Sequence, residues 1–350
     1  MPLVSQKVLE SLCIRIFVSL GVPNADAAII SRYLVDADLS GYASHGVRRI
    51  PDYVRGVREG RIDPNAKLEV IRDGSTMSVL DAHWGFGQIM VSQAVARLLS
   101  KTKEMGVSAV ALRRASHVGR LGPYIRSVAE GGFVGIAMMN HHGGGQVMAP
   151  FGGVERRLSP SPLAIALPRK GQSPILLDMS TSVVAEGKLQ VMRDKGESLP
   201  CGWIIDNNGQ TTTEVANFYK DPPGSILPLG GDAAGHKGFG LALIIDMIAG
   251  TLTGAGCSRA GDSTVGNGLF LMGIKIENFV SLETYYAQAE ELIRYVKSSK
   301  TREGFEGIFI PGELEVRRKR QNMAQGISLS NDLWDNLKKI AEDLQKDKAS

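Results

Sequence analysis

The stretch VSAVALRRASHVGRLGPYIRSVAEGGFVGIAMMN, residues 107–140, decides the fold class. Residues 107–116 read as an apolar strand, residues 123–130 as a helix opened by Pro123, and residues 133–140 as a second apolar strand. Working outward, residues 75–82 form a strand and 87–105 a helix. On the other side, 161–168 and 174–180 are strands, and 184–196 is a helix closing at Gly196. LALIIDMIAGTL (241–252) is apolar nearly all round and is expected to be a buried helix. Residues 267–276 form the last strand. Strands alternating with helices mean an α/β fold. Both chain ends read as helical. A helix over 5–20 ends at Gly21, a second is capped by Asn24, and a third runs from Pro51 to Gly60. Two polar helices, near 282–299 and 330–345, end the chain. Ser330 caps the latter, with Leu333, Leu337, Ile340 and Leu344 as its buried stripe.

The chain has 350 residues with 43% hydrophobic content, enough for two domains. Its 40 basic and 36 acidic residues nearly cancel, giving a net charge of +4. The dense basic run RRKR at 317–320 reads as a solvated segment, so neither nucleic acid nor a membrane is an expected partner. Lys7, Glu10 and Arg15 interrupt what would be the apolar region of a signal peptide. The glycine-broken span 131–154 cannot be a membrane helix. Three scattered cysteines, Cys13, Cys201 and Cys257, fit reduced thiols of a cytoplasmic protein.

Chemistry concentrates first in DADLSGYASHGVRRIPDY, residues 36–53. A helix ends at Gly41, and Ser44 is expected to cap the next helical turn, which places His45 at the positive end of its dipole. Arg48 and Arg49 follow three and four residues on and share a helical face with His45. A titratable imidazole thus stands beside cations able to hold a carboxylate, with Ser44 at the same mouth.

Four loops carry further candidates. Residues 115–122 hold His117 and Arg120 around Gly119. Residues 140–153 (NHHGGGQVMAPFGG) leave a strand end. LLDMSTS sets Asp178, Ser180, Thr181 and Ser182 at a strand end before a helix, where phosphate or ribose hydroxyls can bind. GHKGFG (235–240) sets His236 and Lys237 in a loop before the apolar helix. Of six histidines, His45, His117, His141 and His236 lie in glycine-flanked loops, whereas His83 reads as structural. No pair has metal-ligand spacing. Neither a G-x-G-x-x-G fingerprint after a strand nor a P-loop is present, so any dinucleotide site is not of the Rossmann type.

SHGVRR, SHVGRLG, LLDMSTS, GHKGFGLAL and FIPGE, in this order, resemble the malate/L-lactate dehydrogenase family of NAD(P)-dependent 2-hydroxyacid oxidoreductases. The similarity spans about residues 5 to 345. PPGSILPLGG, PGELEVRRKRQ and the GISL segment are most similar to its hydroxycarboxylate dehydrogenase branch. The resemblance implies a homodimer in which residues 1–70 with 280–350 build a helical domain. Residues 71–279 would build an α/β cofactor-binding domain. It also implies His45 as catalytic histidine, with His117 the second histidine of the site. The cofactor, NAD with NADP as the alternative, would meet His45, Gly119, Arg120, Leu121, Asn140, Leu176, Leu177, Asp178, Met179, Ser180, His236, Lys237, Asn267, Pro311, Gly312, Glu313 and Leu314. Two departures stand at the site's edge: Ser161-Pro162 where the family commonly has Asn-Pro, and Ala115-Ser116-His117 where it has Ser-Asn-His.

The residues themselves suit that chemistry. A 2-keto acid accepting hydride gathers negative charge on its carbonyl oxygen, and a histidinium with a pKa near neutrality supplies the proton. An arginine fork, Arg49 or Arg48, fixes the carboxylate. Two rival readings share the scaffold: reduction of a cyclic imine 2-carboxylate, and a non-catalytic ligand-binding protein.

Overall fold

The computed structural model describes residues 1–261 and 264–349. In chain order, β1 (Leu3–Val4) precedes α1 (Gln6–Ser19), α2 (Asn24–Leu39) and α3 (Ile50–Arg58). Then come β2 (Glu69–Asp73), β3 (Met77–Asp81), α4 (Gly87–Met105), β4 (Val107–Ala115), α5 (Gly122–Glu130) and β5 (Phe133–Asn140). The hairpin β6 (Leu163–Leu167) and β7 (Ile175–Met179) leads to α6 (Glu186–Lys195), β8 (Ile204–Ile205), β9 (Thr211–Thr212), α7 (Ala216–Tyr219) and β10 (Ser225–Ile226). The chain closes with α8 (Gly231–Thr251), β11 (Asn267–Lys275), α9 (Leu282–Lys297), α10 (Glu313–Gln325), β12 (Ile327–Ser328) and α11 (Asn331–Ala349).

The main sheet runs β2-β3-β4-β11-β5-β6-β7. Only β3 and β4 pair in parallel, bridged by α4; the other pairs are antiparallel. The late strand β11 slides between β4 and β5, so the quoted β4-α5-β5 unit is a parallel pair held apart by one strand. Both faces of β11 are tightly covered. A Cβ on Gly273 would overlap the Thr102 hydroxyl of α4. A Cβ on Gly268, five residues away and so on the opposite face, would lie 2.6 Å from the Ala255 Cβ and 2.9 Å from the Ala249 carbonyl of α8. Helices can approach this closely only because the strand offers no side chain there.

A second core joins the chain ends. Leu9, Ile16 and Phe17 of α1, Ile30 and Leu34 of α2, and Leu337 and Leu344 of α11 are buried together. β1 pairs with β12, stitching residue 3 to residue 328. Ser5 and Ser330 cap their helices through Val8 and Leu333 N–H groups. A third, small core lies under β8, β9 and β10, with Leu189, Phe218 and Ile226 inside.

Several local expectations need correction. Asn24 does not cap α2; Pro23 occupies that place with extended backbone and its carbonyl accepts the Ala27 N–H at 2.8 Å. The basic run 317–320 lies within α10, a helix that charge-rich sequence concealed. The apolar helix α8 is not buried all round: Ala242, Ile245 and Ala249 face inward, but Leu243, Ile244, Met247 and Leu252 are 40–56% exposed. The stretch 235–240 lies within the first turns of α8 rather than in a loop, with a break in helical geometry at Ala234.

Leu337 is fully buried between α11 and the α1–α2 pair. Its truncation, Leu337→Ala, should cost about 2–5 kcal/mol. Urea unfolding followed by circular dichroism measures it, and a loss below 1 kcal/mol would mean that α11 is not integral to this core.

Candidate active site

The C-terminus of α2 delivers the first site residues. Gly41 reverses the chain at φ +86°, and two 3-10 turns follow, Ala43–His45 and Val47–Arg49. Beneath them Asp38 is buried, and its Oδ2 accepts the Val47 N–H at 2.8 Å. Ser44 is therefore not an N-cap. It lies inside the first 3-10 turn, its hydroxyl 3.0 Å from His45 Nδ1. Nor does His45 sit at a free helix terminus, since its N–H already donates to the Tyr42 carbonyl at 2.9 Å. The two arginines diverge. Arg48 reaches away to Asp194, 2.7 Å off on α6. Arg49 folds back, its Nε donating to the Ser44 carbonyl at 2.8 Å, and its charge bears on the histidines.

His117 stands on the loop between β4 and α5. That loop is shaped by Asn267, whose Oδ1 accepts the Val118 N–H at 3.0 Å, and by Gly119 at φ +76°. The His117 and His45 rings lie 5.7 Å apart and nearly parallel, 21° between planes. The Tyr53 hydroxyl is 2.8 Å from His117 Nδ1 and accepts the Gln88 amide at 2.8 Å. His141, just past β5, belongs to the same electrostatic cluster, and its Nδ1 is buried with no hydrogen-bond partner among the described residues.

Burial, then the charge of Arg49 and next Arg120, pushes His45 down to about 3. Burial and Arg49 likewise hold His117 well below its ordinary value. Burial takes His141 to about 4, with Arg49 adding to the drop and Asp246 opposing it. The expected near-neutral pKa of His45 is thus corrected: in the protein by itself all three imidazoles are neutral, because desolvation and neighbouring cations both penalise the charged form.

On the far side of the His45 turn lies a polar cradle. The Arg120 guanidinium stacks 3.8 Å from the Tyr42 ring centroid and stands 3.4 Å from Asp178 Oδ2. It is only 3% exposed, yet none of its nitrogens makes a hydrogen bond among the described residues. Asp178, on β7, accepts the Gly122 N–H at 2.9 Å, next to Leu121. Burial raises its carboxyl, against the pull of Arg120. Leu176 donates its N–H to the Pro311 carbonyl, and Gly312 at φ +95° lies against it, where α10 begins. Glu313 bonds to Lys297 and to the Ile310 N–H, while Leu314 is exposed. A cleft of about 1000 Å³ opens there, lined among others by Arg169, Ile175, Pro311, Gly312 and Arg320.

Other expected residues sit differently. Leu177 and Met179 are half-buried on β7. The Ser180 hydroxyl bonds to Ser182, and α6 begins only at Glu186, so the 178–182 stretch is not a helix N-terminus. The Asn140 amide donates to Asp246 and to the Gly256 carbonyl, holding the end of β5. His236 and Lys237 are exposed on α8, His236 edge-on to Phe151. His83 is tied to Glu69 and Arg114. Among the described residues, no three His, Cys, Asp or Glu side chains are grouped to hold a metal ion. Sequence reading missed Tyr53 and Gln88, and it flagged His141 only as a histidine in a glycine-flanked loop, without a role.

The model of the malate/L-lactate dehydrogenase family matches residues 4–338. A malate dehydrogenase of Pyrococcus abyssi is 39% identical over 340 residues, covering 95% of this chain and 92% of its own. The solved structure of a putative malate/lactate dehydrogenase from E. coli superposes with a TM-score of 0.92 at 31% identity, covering 98% of this chain and 96% of that one. A delta1-piperideine-2-carboxylate reductase from Pseudomonas syringae gives 0.85 at 29% identity, with coverage of 97% and 100%.

The depressed imidazoles can be observed directly. Titration of the ligand-free protein by histidine-ring NMR should leave His45 neutral down to about pH 4, given its value of about 3. A midpoint near 6.5 would mean that the ring is solvated and the cations beside it are too distant to act.

Proposed function

Because the chain belongs to the malate/L-lactate dehydrogenase family, we propose that it interconverts a small 2-hydroxy acid and its 2-keto acid, using NAD, with NADP as the alternative. The observation that carries this reading is the stacked pair of His45 and His117 beside Arg49, with the unbonded guanidinium of Arg120 next to it. That buried cation, its N–H donors without hydrogen bonds, would suit an anion such as a dinucleotide diphosphate, and Gly312 lets the start of α10 pack closely on Leu176. Gly119, Arg120, Leu121, Leu176, Asp178, Pro311 and Gly312 would hold the cofactor, with its adenosine half in the adjoining cleft. When bound, the reduced nicotinamide supplies the hydride.

The protein's own part is orientation and proton handling. Arg49 uses Nε on the Ser44 carbonyl and Nη1 on Asp52 Oδ2 at 3.4 Å, and keeps Nη2 for the substrate carboxylate. His45, neutral at rest, is ready to accept the hydroxyl proton in the oxidative direction. In the reductive direction it must first be charged, and the carboxylate placed beside it favours that form. The working proton is therefore taken up with the 2-keto acid.

A second reading draws on the likeness to the Pseudomonas syringae reductase. A cyclic imine brings its own proton, so its reduction would depend less on His45.

For assembly, a second copy of this chain would cover Leu243, Ile244 and Met247, an apolar face of α8. We read residues 1–70 with 280–350 as one helical domain and 71–279 as the cofactor-binding domain, a division the shared core of α1, α2, α3 and α11 supports. Three free thiols suit a cytoplasmic location.

Two experiments test this. His45→Ala should lower kcat for 2-keto acids by about 100-fold or more while cofactor affinity stays put. For the unaltered protein, kcat/KM for the 2-keto acid should fall about tenfold per pH unit from pH 5 to 8, because protonated His45 is a shrinking minority above its value of about 3. The hydroxy acid should show no matching gain over that range. Undiminished turnover of 2-keto acids by His45→Ala would assign the proton to another group, and turnover of cyclic imines alone would favour the second reading. For assembly, Ile244→Asp should halve the mass seen by sedimentation; an unchanged mass would place the interface elsewhere.

A further inference from the structure

Tyr53 and Gln88 form a buried chain behind His117. Tyr53 on α3 is 2% exposed and Gln88 on α4 is fully buried. Gln88 Nε2 donates to the Tyr53 oxygen at 2.8 Å. A phenol oxygen that accepts from an amide spends its own proton on a different acceptor. The acceptors in reach are His117 Nδ1 at 2.8 Å and the His117 carbonyl at 3.4 Å, and the shorter contact is the better hydrogen bond. Nδ1 is then the bare nitrogen of a neutral ring, and the ring's one proton sits on Nε2, across the ring from Tyr53. His117 also lines, with Arg49, Tyr53 and Ser116, a cavity of about 420 Å³.

We propose that Tyr53 and Gln88 are positioning residues that lock His117 as its Nε2–H tautomer. His117 thereby offers the substrate oxygen a fixed hydrogen-bond donor while His45 alone carries the proton. This builds on the reading of the site as a 2-hydroxyacid dehydrogenase, but the tautomer itself does not depend on it. Two histidines 5.7 Å apart would otherwise be interchangeable carriers. The Tyr53 hydroxyl breaks that symmetry, because the Ser44 hydroxyl on His45 Nδ1 has no comparable buried amide behind it among its described bonds.

The test is long-range ¹⁵N–¹H NMR of the histidine rings in the unaltered protein and in Tyr53→Phe, with kcat measured alongside. The unaltered protein should show His117 as a single Nε2–H tautomer between pH 5 and 9. Tyr53→Phe should populate both tautomers and lower kcat for the 2-keto acid about tenfold, the scale of one neutral hydrogen bond, without moving the pH dependence assigned to His45. Gln88→Met, which keeps the volume but removes the amide donor, should shift the tautomer in the same direction and serves if Tyr53→Phe does not fold. A protonated Nδ1 in the unaltered protein would overturn the proposal, as would a tautomer unmoved by both substitutions. A mixed tautomer with unchanged kcat would overturn it equally. If no 2-keto acid is turned over at all, the dehydrogenase reading fails while the tautomer result still stands or falls by itself.

Discussion

A single carboxylate buried under a glycine sets the geometry of the site. Asp38, in the last turn of α2, accepts the Val47 N–H and so ties the turn carrying His45 to the helix before it. A Cβ on Gly46 would overlap the Asp38 carboxyl atoms, so this position needs glycine for space, although its φ of −91° is open to any residue. Burial raises the Asp38 carboxyl to about 7. The sign of the linkage is the reverse of a surface ion pair. The folded state holds this proton more tightly than the unfolded chain, so the clamp loses stability as pH rises from about 4 toward 7. Its value is positional: it fixes the path of the chain from residue 39 to residue 53, which includes His45, Arg49 and Tyr53.

The same turn is gripped from the far end of the sequence. On α10, Lys319 pairs with Asp36, Asn322 donates to the Leu39 carbonyl at 2.9 Å, and Glu315 accepts the Tyr42 hydroxyl at 2.6 Å. Tyr42 in turn supports the Arg120 guanidinium on its ring face. The first residue before that helix, Gly312, rests against Leu176 on β7. One helix thus braces both the His45 turn and the strand that carries Asp178. A basic run that reads as a solvated surface is partly a structural strut, with Arg317 on Glu306 and Lys319 on Asp36.

How much of this was legible in the sequence follows the range of the forces involved. β4, α5 and β5 were readable because apolar runs and a proline-opened helix are local signals, and the matching boundaries of α4 and β5 show it. The order of the sheet was not, because β11 enters between β4 and β5 through pairing across more than a hundred residues. β2 went unseen because all of its side chains are exposed and it carries no alternation to read. His45, Arg49 and His117 stood out by residue type and glycine neighbours, and the chain does bring them together. The cap expected of Ser44 and the helical face expected of Arg48 did not form: Gly46 splits the segment into two 3-10 turns, and Arg48 pairs with Asp194. Tyr53 and Gln88 were illegible because a buried hydrogen bond between separate helices leaves no pattern in either one.

The electrostatics of the cluster then constrain what it can bind. Arg49 and Arg120 bring positive charge into a region where three imidazoles are kept neutral and one guanidinium lacks hydrogen bonds. Arg120 is ion-paired with Asp178 at 3.4 Å but its buried N–H donors lack hydrogen bonds, an unmet demand that an arriving anion would satisfy. The same arrival changes the histidines. In the proposed reaction, a carboxylate beside Arg49 would offset the charge that depresses His45 and so make the imidazole a stronger base. Under that proposal, anion binding and proton uptake are one event, not two. Such a site would keep its proposed proton carrier uncharged in isolation and charge it only in the complex, where the proton has somewhere to go.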